Sequence, residues 1–511
     1  MDWSLKPCTA TYTTVWDVQN HNDRKSLVDR LTCLPDELLN QILSLLPAKD
    51  AAATSVLSRR LRRVFSLITC LDFNVSPISL CLQHPNAIQR FPTFVSFVDD
   101  VLQAHQSRYL TKFRLKVSSG DFDKVFFDGC YFGKCKQGCL PDLKSARLNA
   151  WISYPLTLCG LRELDLCILV SEPGDSQLPP AIFTCETLEV LKLEFNIGLD
   201  HVYNMPSYRL PNLKLLLLFA SFISVDRFLP RLVSSCPVLE DLTFKAFTNY
   251  VYITDIRSTS LRRMCLSMPK CDAFDEHNTD LVIIDTPSLE YLDYRDNLAM
   301  CYYIRVMHCL VEAVLVVTQC LEFGESFPQM IGLIRPFSYV QRLSLQGLIL
   351  WELDSVDEKV LKDQLPVFPN LKHLELNVAA RNNYWNKLLL PFLNCSPVLE
   401  VLDFSEGFTK DYDARFVSSN KEELELEREF YSTDHEVPLC CRFHLRKILV
   451  RKYYGLEREV GMIQFLLRHA IVLEELVICL AGDPIPDQML VENTLKNLPK
   501  ASLTCSIQVL C

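Results

Sequence analysis

Residues 211–244 read PNLKLLLLFASFISVDRFLPRLVSSCPVLEDLTF, and residues 369–404 read PNLKHLELNVAARNNYWNKLLLPFLNCSPVLEVLDF. Each stretch begins with Pro-Asn-Leu-Lys and ends on Pro-Val-Leu-Glu followed by alternating apolar residues, with a helical stretch between. Alternation predicts a strand and helical spacing predicts a helix, so both stretches indicate a strand–helix–strand unit. Such a unit cannot bury its apolar face alone, so its recurrence predicts neighbouring units that stack on one shared core.

The motif L-x-x-L-x-L/F extends this pattern over about residues 105–410. Clear copies begin at Leu161, Leu188, Leu213, Leu239, Leu371 and Leu399, near-matches at Leu261 and Leu289, and looser ones at Leu110, Leu143, Leu310 and Val340. Leu accounts for 84 of 511 residues, so some matches arise by chance, but the starts at 161, 188, 213, 239, 261 and 289 lie 22 to 28 residues apart. Leucine-rich repeats have periods of about 20–29 residues. The sequence therefore predicts an irregular α/β solenoid, with parallel strands inside and helices outside.

Alternate residues of these predicted strands point away from the core and would form one surface. In chain order this surface comprises Lys192, Glu194, Leu215, Leu217, Asp241, Thr243, Tyr291, Asp293, Arg295, Arg342, Ser344, His373 and Glu375. Mixed charges around exposed Leu and Tyr suit a protein or peptide target, because such interfaces have an apolar centre and a polar rim. The alternative is that a neighbouring loop covers Leu215 and Leu217.

A separate helical pattern occupies residues 29–73, DRLTCLPDELLNQILSLLPAKDAAATSVLSRRLRRVFSLITCLDF. Pro35 suits the first turn of a helix that runs until Pro47, and Asp50 can cap a second short helix. A third helix carries Leu57, Leu61, Val64, Phe65 and Ile68 on one face and four arginines on the other. Three short helices are too small to be stable alone, so their apolar surface must be shared with a partner or with the downstream domain.

These residues closely resemble the plant F-box motif, through Leu34-Pro35-x-Glu37-x-Leu39, Ile42-Leu43-x-x-Leu46-Pro47 and Val56-Leu57-Ser58-Arg59-Arg60. The resemblance implies docking on a Skp-type adaptor and, through it, on a cullin–RING ubiquitin ligase. On the apolar surface of the helices we expect adaptor contacts from Leu34, Pro35, Leu38, Ile42, Leu45, Val56 and Leu61. The family usually has Trp where this chain has Leu61, which predicts weaker docking if that position lies at the interface.

The C-terminal segment reads as one more repeat, with a strand at Arg446–Val450, a helix from Glu457 to His469 and a strand at Glu475–Ile478. It resembles the FBD domain that follows an F-box and leucine-rich repeats in plants. We therefore predict a polar tail at 1–25, a small three-helix F-box at 26–72, the solenoid at 73–430 and the FBD domain as its C-terminal end at 431–511. Residues 410–436, rich in Glu and Lys, are expected to form an exposed loop or linker.

Composition and charge narrow the partners and the compartment. Lys and Arg total 52 against 62 Asp and Glu, a net charge of −10, which disfavours nucleic acid or an anionic membrane as the main partner. The N-terminus lacks a basic start followed by an apolar run, and the longest apolar stretch is too short to cross a bilayer, so we expect the cytoplasm or nucleus. The 22 cysteines are expected to be mostly reduced and buried, and Cys130, Cys135 and Cys139 to be incidental thiols of a loop.

Three function classes follow from these patterns. The favoured one is the substrate-recognition subunit of an SCF-type (Skp–cullin–F-box) ubiquitin ligase, in which the repeats hold an unknown target protein. The alternative is an interaction scaffold whose F-box has lost its adaptor, an idea based on Leu61. An enzyme is disfavoured because no P-loop, H-E-x-x-H, G-x-S-x-G or G-x-G-x-x-G occurs, and His373 is expected to be a surface residue rather than a general base. We expect no cofactor and no metal.

Overall fold

In a computed structural model of the chain, the described residues are 33–74, 87–117, 143–169, 177–221, 225–247, 253–268, 280–318, 326–377, 385–408, 437–481 and 487–510. The expectations for the tail at 1–25, for the three clustered cysteines at 130–139 and for the linker at 410–436 lie outside these residues.

The described chain contains eighteen strands, of which fifteen form one long parallel sheet. In chain order the strands are β1 (Cys70–Asn74), β2 (Lys112–Val117), β3 (Glu163–Ile168), β4 (Val190–Phe195), β5 (Leu215–Ser221), β6 (Asp241–Phe247), β7 (Ile253–Arg257), β8 (Arg263–Ser267), β9 (Leu281–Asp285), β10 (Tyr291–Asp296), β11 (Cys301–Ile304), β12 (Glu312–Val317), β13 (Arg342–Gly347), β14 (His373–Leu376), β15 (Val401–Phe404), β16 (Lys447–Tyr453), β17 (Glu475–Leu480) and β18 (Ser506–Leu510). The long sheet keeps chain order and omits only β7, β9 and β11, which form a second parallel sheet.

Helices alternate with these strands. They are α1 (Asp36–Ser44), α2 (Ala48–Thr54), α3 (Arg59–Phe65), α4 (Ala87–Ala104), α5 (Ser145–Ser153), α6 (Asp200–Tyr203), α7 (Val225–Ser234), α8 (Phe327–Ile334), α9 (Ile349–Asp354), α10 (Glu358–Gln364), α11 (Trp385–Cys395), α12 (Leu439–Phe443), α13 (Glu457–His469) and α14 (Gln488–Lys496). Short 3₁₀ helices lie at Tyr154–Thr157, Pro180–Thr184 and Arg335–Phe337. Parallel neighbours need a crossover between them, and these helices supply many of the crossovers.

The register of the long sheet confirms the predicted repeat. Glu163, Val190, Leu215 and Asp241 are direct neighbours across four strands, and each lies two residues after a predicted motif start. The even positions of a strand are buried in one continuous core and the odd positions lie on the other face, as in the pattern of β4 and β12. The looser match at Leu143 is wrong as a strand start, because helix α5 begins at Ser145.

The outer layer differs from the prediction in one region. Three successive repeats have the strands β7, β9 and β11 in place of outer helices, and α7 and α8 pack at the two ends of this small sheet. The segments ITDIR, LVIID and CYYI are rich in β-branched and aromatic residues and alternate in burial, a composition that favours a strand over a helix. The predicted fold class, an irregular α/β solenoid with parallel strands inside and helices outside, is confirmed, and in this part of the chain outer strands take the place of helices.

The three N-terminal helices are fused to the solenoid rather than tethered to it. Strand β1 begins five residues after α3, so the predicted boundary between residues 72 and 73 falls inside a strand of the sheet. The backbone N–H of Gln106 donates to the Ser66 carbonyl at 2.7 Å, the Thr111 hydroxyl donates to the Thr69 carbonyl at 2.9 Å, and a ring nitrogen of His105 lies 2.8 Å from the Ile68 carbonyl oxygen. Helices and repeats therefore share one core and one hydrogen-bond network.

One glycine at the end of a strand has a predictable effect on stability. Gly407 has a φ of +72°, and a Cβ atom there would overlap the carbonyl oxygen of Lys452 on a neighbouring repeat. We expect Gly407→Ala to lower the free energy of unfolding by about 2–4 kcal/mol, since it combines an unfavourable φ with a backbone clash. The matched control is Gly332→Ala in α8, where no atom lies within 4 Å of the added carbon. Chemical denaturation in which both variants behave alike would contradict this account.

Two candidate docking surfaces

The first candidate surface is built on α1, α2 and α3, which we call the docking module. Leu39 and Leu43 of α1 and Leu61 and Val64 of α3 are buried between the helices. The Ser58 side chain caps α3 by accepting a hydrogen bond from the Leu61 N–H at 3.1 Å. Such a cap contributes about 1 kcal/mol to helix stability. The module is therefore ordered by its own small core and by the solenoid beneath it.

The outer side of the docking module is unusually apolar. Leu45 is 85% exposed, Val56 is 75% exposed, and Leu38 and Ile42 also lie on the surface. Leu38, Ile42 and Leu45 are four and three residues apart, so they share one face of α1 and its C-terminal turn. Single exposed apolar residues are ordinary, but several of them on one short helical module make it a candidate interaction surface. We call Leu38, Ile42, Leu45, Val56 and the neighbouring Leu57 the apolar face.

The sequence missed one member of this face. The sequence pattern places Leu57 on the apolar side of the third helix with Leu61, but Leu57 lies before α3 in the turn after α2 and is exposed. The Ser58 cap, which starts α3 at Arg59, removes Leu57 from the helical register on which that expectation depended. A Ser followed by an arginine-rich helix was the available signal, because Ser is a favoured N-cap residue.

Leu34 and Pro35 lie where α1 begins. Pro35 is exposed and Leu34 is half-buried against the core. Arg60 holds this end of the helix, since its guanidinium donates to the Leu34 carbonyl at 2.6 Å and pairs with Asp36 at 2.7 Å. One of the predicted surface arginines therefore has a structural role within the module.

The expectation for Leu61 is corrected by its burial. Its side chain is only 2% exposed and packs inside the docking module, so it cannot contact a partner while the module is folded. The exposed flank of α3 consists of its arginines, whereas Leu61 lies on the same side as Val64. The absence of Trp at this position therefore leaves the composition of the apolar face unchanged.

Truncation of this core residue tests the correction. We expect Leu61→Ala to lower the free energy of unfolding by about 2–5 kcal/mol, the usual result of leaving a cavity at a fully buried Leu. Leu45→Ala, at an exposed position, serves as the control and should change stability by less than about 0.5 kcal/mol. If Leu61→Ala and Leu45→Ala lower the free energy of unfolding by the same small amount, Leu61 is not a core residue and this account of its burial is wrong.

The second candidate surface is the side of the long sheet that carries the odd strand positions, which we call the open face. The residues predicted to point outward lie on it in register, although one of them, Ser344, is buried. One row runs through Leu215, Asp241, Arg263, Tyr291, Glu312, Arg342 and His373. A second row runs through Lys192, Leu217, Thr243, Cys265, Asp293, Val314, Ser344 and Glu375. Glu194 and Arg295 lie on the same face one step further along β4 and β10.

The centre of the open face is partly apolar. Leu215, Leu217 and Tyr291 are half-buried. They are therefore neither completely covered by a loop nor fully exposed. The guanidinium of Arg263 lies over the Tyr291 ring, 4.6 Å from its centroid. A second cation, Lys245, lies 4.8 Å from the centroid of Phe219 on β5. Cation–π contacts of this kind hold long cationic side chains flat against aromatic rings.

Ion pairs tie the open face together outside its centre. Arg114 of β2 lies 2.8 Å from Asp165 of β3. At the other end, the Arg451 guanidinium donates to the Asp403 carboxylate at 3.1, 3.2 and 2.7 Å, and the Asp403 side chain is only 1% exposed. Removing one partner of a buried pair leaves a charge without compensation. The predicted outward surface did not include the residues of these two ion pairs, although Asp403 occupies the same position in its motif as Thr243, which the prediction did include.

His373 is half-buried in the middle of the open face, and burial lowers the pKa of its imidazole, so the ring is neutral at pH 7. It lies among charged groups of this face, of which Asp403, Glu375 and Glu312 raise the pKa and Arg342 lowers it. Its direct strand neighbours are Arg342 on β13 and Val401 on β15. Among the described residues, no group of three or more His, Cys, Asp or Glu side chains could hold a metal ion.

The rim of the sheet carries a charge pattern that sequence reasoning overlooked. The residue before each of ten strands alternates in sign from repeat to repeat, in the order Arg162, Glu189, Lys214, Glu240, Arg262 and Glu290, and then Lys372, Glu400, Arg446 and Glu474. Neighbours pair, as in Arg262 with Glu290 at 2.7 Å and Lys372 with Glu400 at 3.2 Å. Each exposed pair contributes about 0–1 kcal/mol. Because the rim neutralises itself, it offers no net charge to a partner.

A parallel-strand solenoid with an open face, fused to a helical module with an exposed apolar face, defines a repeat-type interaction protein. Family profiles match three of its segments, namely the F-box domain at residues 31–70, the LRR repeats of FBD-associated F-box protein At5g56370 at 148–315, and the FBD at 433–478. None of these descriptions names an enzymatic activity. Among the described residues, no helix has the length and apolar content needed to cross a membrane.

Relatives from Arabidopsis thaliana are similar over most of the chain. F-box/FBD/LRR-repeat protein At5g56420 is 29% identical over 485 residues, which cover 94% of this chain and 98% of the relative. F-box/LRR-repeat protein At1g06630 is 30% identical over 412 residues, 80% of this chain and 92% of the relative. F-box/LRR-repeat protein 13 is 27% identical over 492 residues, 94% and 96%. The chain belongs to the plant F-box/leucine-rich-repeat family and carries an FBD at its C-terminal end.

Proposed function

We propose that this protein is the substrate-recognition subunit of an SCF-type ubiquitin ligase in the cytoplasm or nucleus. The apolar face of the docking module binds a Skp-type adaptor, and the open face of the repeats binds the target protein. Leu34 and Pro35 belong to the adaptor site at its edge, beside the apolar face. The chain itself performs no chemistry, because ubiquitin transfer belongs to the other subunits.

The single observation that carries this proposal is the fusion of the docking module to the sheet. Hydrogen bonds from Gln106, Thr111 and His105 reach the residues just after α3, and β1 begins five residues after that helix. A target on the central strands is thus held at a fixed distance from an adaptor on the helices. Holding two reactants in a fixed geometry raises their effective concentration, which is the physical contribution of a receptor subunit.

For the target site we propose the central part of the open face, with Leu215, Leu217 and Tyr291 as apolar anchors. The polar residues that surround these anchors on the open face are Asp241, Asp293, Arg295, Arg342, His373 and Glu375. Charges of both signs surround the anchors, and this arrangement is typical of protein interfaces with an apolar centre. A folded domain or an extended peptide of a target protein fits this chemistry better than nucleic acid does.

The scaffold alternative loses its main support. It depended on Leu61 as a defect in the adaptor interface, but this side chain lies in the core of the docking module. The apolar face retains Leu38, Ile42, Leu45 and Val56 on the surface. Nothing in the exposed composition of the module therefore argues for the loss of its partner.

Affinity purification of the full chain from plant cells tests the proposal. We expect the Skp-type adaptor and a cullin to co-purify, together with target proteins whose recovery rises when the proteasome is inhibited. A second bait with Leu34→Ala and Pro35→Ala should lose the adaptor while keeping the targets. Recovery of the same proteins with and without inhibition, and with no adaptor, would favour the scaffold instead.

A further inference from the structure

The second sheet turns one side toward the outside of the solenoid, and we call this side the outer face. Its other side packs into the shared core through Ile256, Val282 and Ile284, which are all buried. Arg305, just after β11, continues the sheet, since its N–H donates to the Ile284 carbonyl at 3.0 Å. In register the outer face has three rows, namely Ile253 with Leu281 and Cys301, Asp255 with Ile283 and Tyr303, and Arg257 with Asp285 and Arg305. The uncharged row lies at the amino ends of the strands and the charged row at their carboxyl ends.

A cavity of about 440 Å³ lies at the carboxyl ends of these strands. Arg257 ends β7, Asp285 ends β9 and Arg305 directly follows β11, and all three residues line the cavity. Ser258 and Thr259 line it as well, and so do residues at the C-terminal end of α7. Ligand sites in α/β proteins usually lie at the carboxyl ends of parallel strands. The charged row is therefore in a position to bind a ligand.

Both guanidinium groups of this row keep hydrogen-bond donors for a ligand. A guanidinium has five N–H groups. In the part of the chain that the structure describes, the Arg257 guanidinium donates through Nε alone, to Asp255 at 2.8 Å, and the Arg305 guanidinium reaches only the Asp285 carboxylate, at 3.4 Å. Both arginine side chains are largely exposed, and exposed ion pairs contribute little to stability. A carboxylate from a partner can therefore share or replace these contacts.

The charges around the cavity favour a carboxylate ligand over a phosphate. Two arginines and one aspartate line it, which is an excess of one positive charge, and Asp255 lies beside one of the arginines. A phosphate ester has a charge of about −1.5 to −2 at pH 7 and would bring it close to both acidic side chains. A carboxylate has a single negative charge and matches the planar fork of a guanidinium with two parallel hydrogen bonds.

We propose that the outer face binds an acidic segment of a partner protein. An Asp or Glu side chain of that segment enters the cavity and binds Arg257 and Arg305, while adjoining apolar residues cover Tyr303 and Ile283. Tyr303 is 66% exposed and lies two residues before Arg305, so about 7 Å separates the apolar and the charged positions. Two or three residues of an extended peptide span that distance. A small carboxylate would leave Tyr303 uncovered, and a peptide therefore matches the whole face better.

This site is separate from both surfaces of the proposed function. The outer face and the open face lie on opposite sides of the shared core, and the docking module lies at the β1 end of the long sheet. A partner on the outer face therefore leaves the target and adaptor sites free. Failure of adaptor binding would leave the peptide site intact, and failure of peptide binding would leave the adaptor site intact.

Selection of peptides on the purified full chain tests the proposal. The probe is a random displayed peptide library, with counter-selection on the Arg257→Gln/Arg305→Gln variant so that only peptides dependent on the cavity remain. We expect the remaining peptides to carry Asp or Glu beside apolar residues. In fluorescence anisotropy, changing that acid to its amide should weaken binding by about 10-fold or more, because the charge-assisted hydrogen bonds are lost. Tyr303→Ala should weaken it by about 5-fold or more, because an apolar contact is lost.

The matched control is Arg162→Gln with Arg209→Gln. These two arginines are also largely exposed and pair with carboxylates, at 3.3 and 3.0 Å, but they lie on other repeats. The control should bind the peptide like the wild type, and melting curves should show every variant folded, because each changed side chain is exposed. No remaining peptide, or remaining peptides without an acidic residue, would overturn the proposal. So would acidic peptides that bind the Tyr303→Ala variant unchanged, since the cavity would then accept a carboxylate alone.

Discussion

Leu45→Glu combined with Val56→Glu is expected to reduce adaptor affinity by roughly 100-fold or more while leaving the protein folded. Both side chains are largely exposed in the free chain, so neither substitution opens a cavity. In the complex each would lose about 1.5–3 kcal/mol of apolar burial, and each new carboxylate would have to be desolvated. The measurement is the dissociation constant between the purified chain and a Skp-type adaptor, together with a thermal melt.

The matched control makes the same chemical change elsewhere. Leu439 and Phe443 of α12 are also exposed apolar residues on a short helix. Leu439→Glu with Phe443→Glu should leave adaptor affinity within about twofold of the wild type. If both double variants weaken binding equally, or if neither does, the apolar face is not the adaptor site.

Leu217→Asp combined with Tyr291→Ala is expected to reduce target capture by at least about 10-fold without changing adaptor binding. The Asp places a charge at the centre of the open face, and the Ala removes the ring on which Arg263 lies. Truncating an anchor of this size at an interface commonly costs 2 kcal/mol or more. The readout is the ratio of target to adaptor recovered with the variant after proteasome inhibition.

The control uses the same row of the same face. Leu449 on β16 is half-buried and lies in the row that contains Leu217, but several strands away. Leu449→Asp should retain target capture. Equal loss with this control would mean that the effect comes from general destabilisation of the sheet. Unfolding of the repeats by the Leu217/Tyr291 pair would equally remove the support for a binding site there.

The strands of the long sheet could be predicted because their signal is local and repeated. The motif starting at Leu213 places Leu216 and Leu218 inside and Leu215 and Leu217 outside, and a shift by one residue would reverse every side chain. Buried leucines thus fix both the register and the membership of the open face. The spacing of the motifs then fixes the order of the strands, since each unit stacks on the previous one.

The missed features depend on contacts between repeats or on small shifts of a helix start. Burial of Leu61 follows from how α3 packs on α1 and α2, and a helical pattern alone does not say which apolar side faces inward and which stays exposed. The outer strands β7, β9 and β11 have a strand-favouring composition, but each is too short to predict by itself that it pairs with the others to form a second sheet. The alternating rim charges were readable, because Arg162, Glu189 and Lys214 each directly follow a motif leucine.

The central claim is that the helical module and the repeats together connect a target to a ubiquitin ligase, and direct binding to the adaptor tests it best. Isothermal titration of the purified full chain with a purified Skp-type adaptor should give one adaptor per chain. The binding should have a negative heat-capacity change, as burial of an apolar face requires. Absence of binding by the folded chain would contradict the account, and the solenoid would then have to act as a scaffold without a ligase.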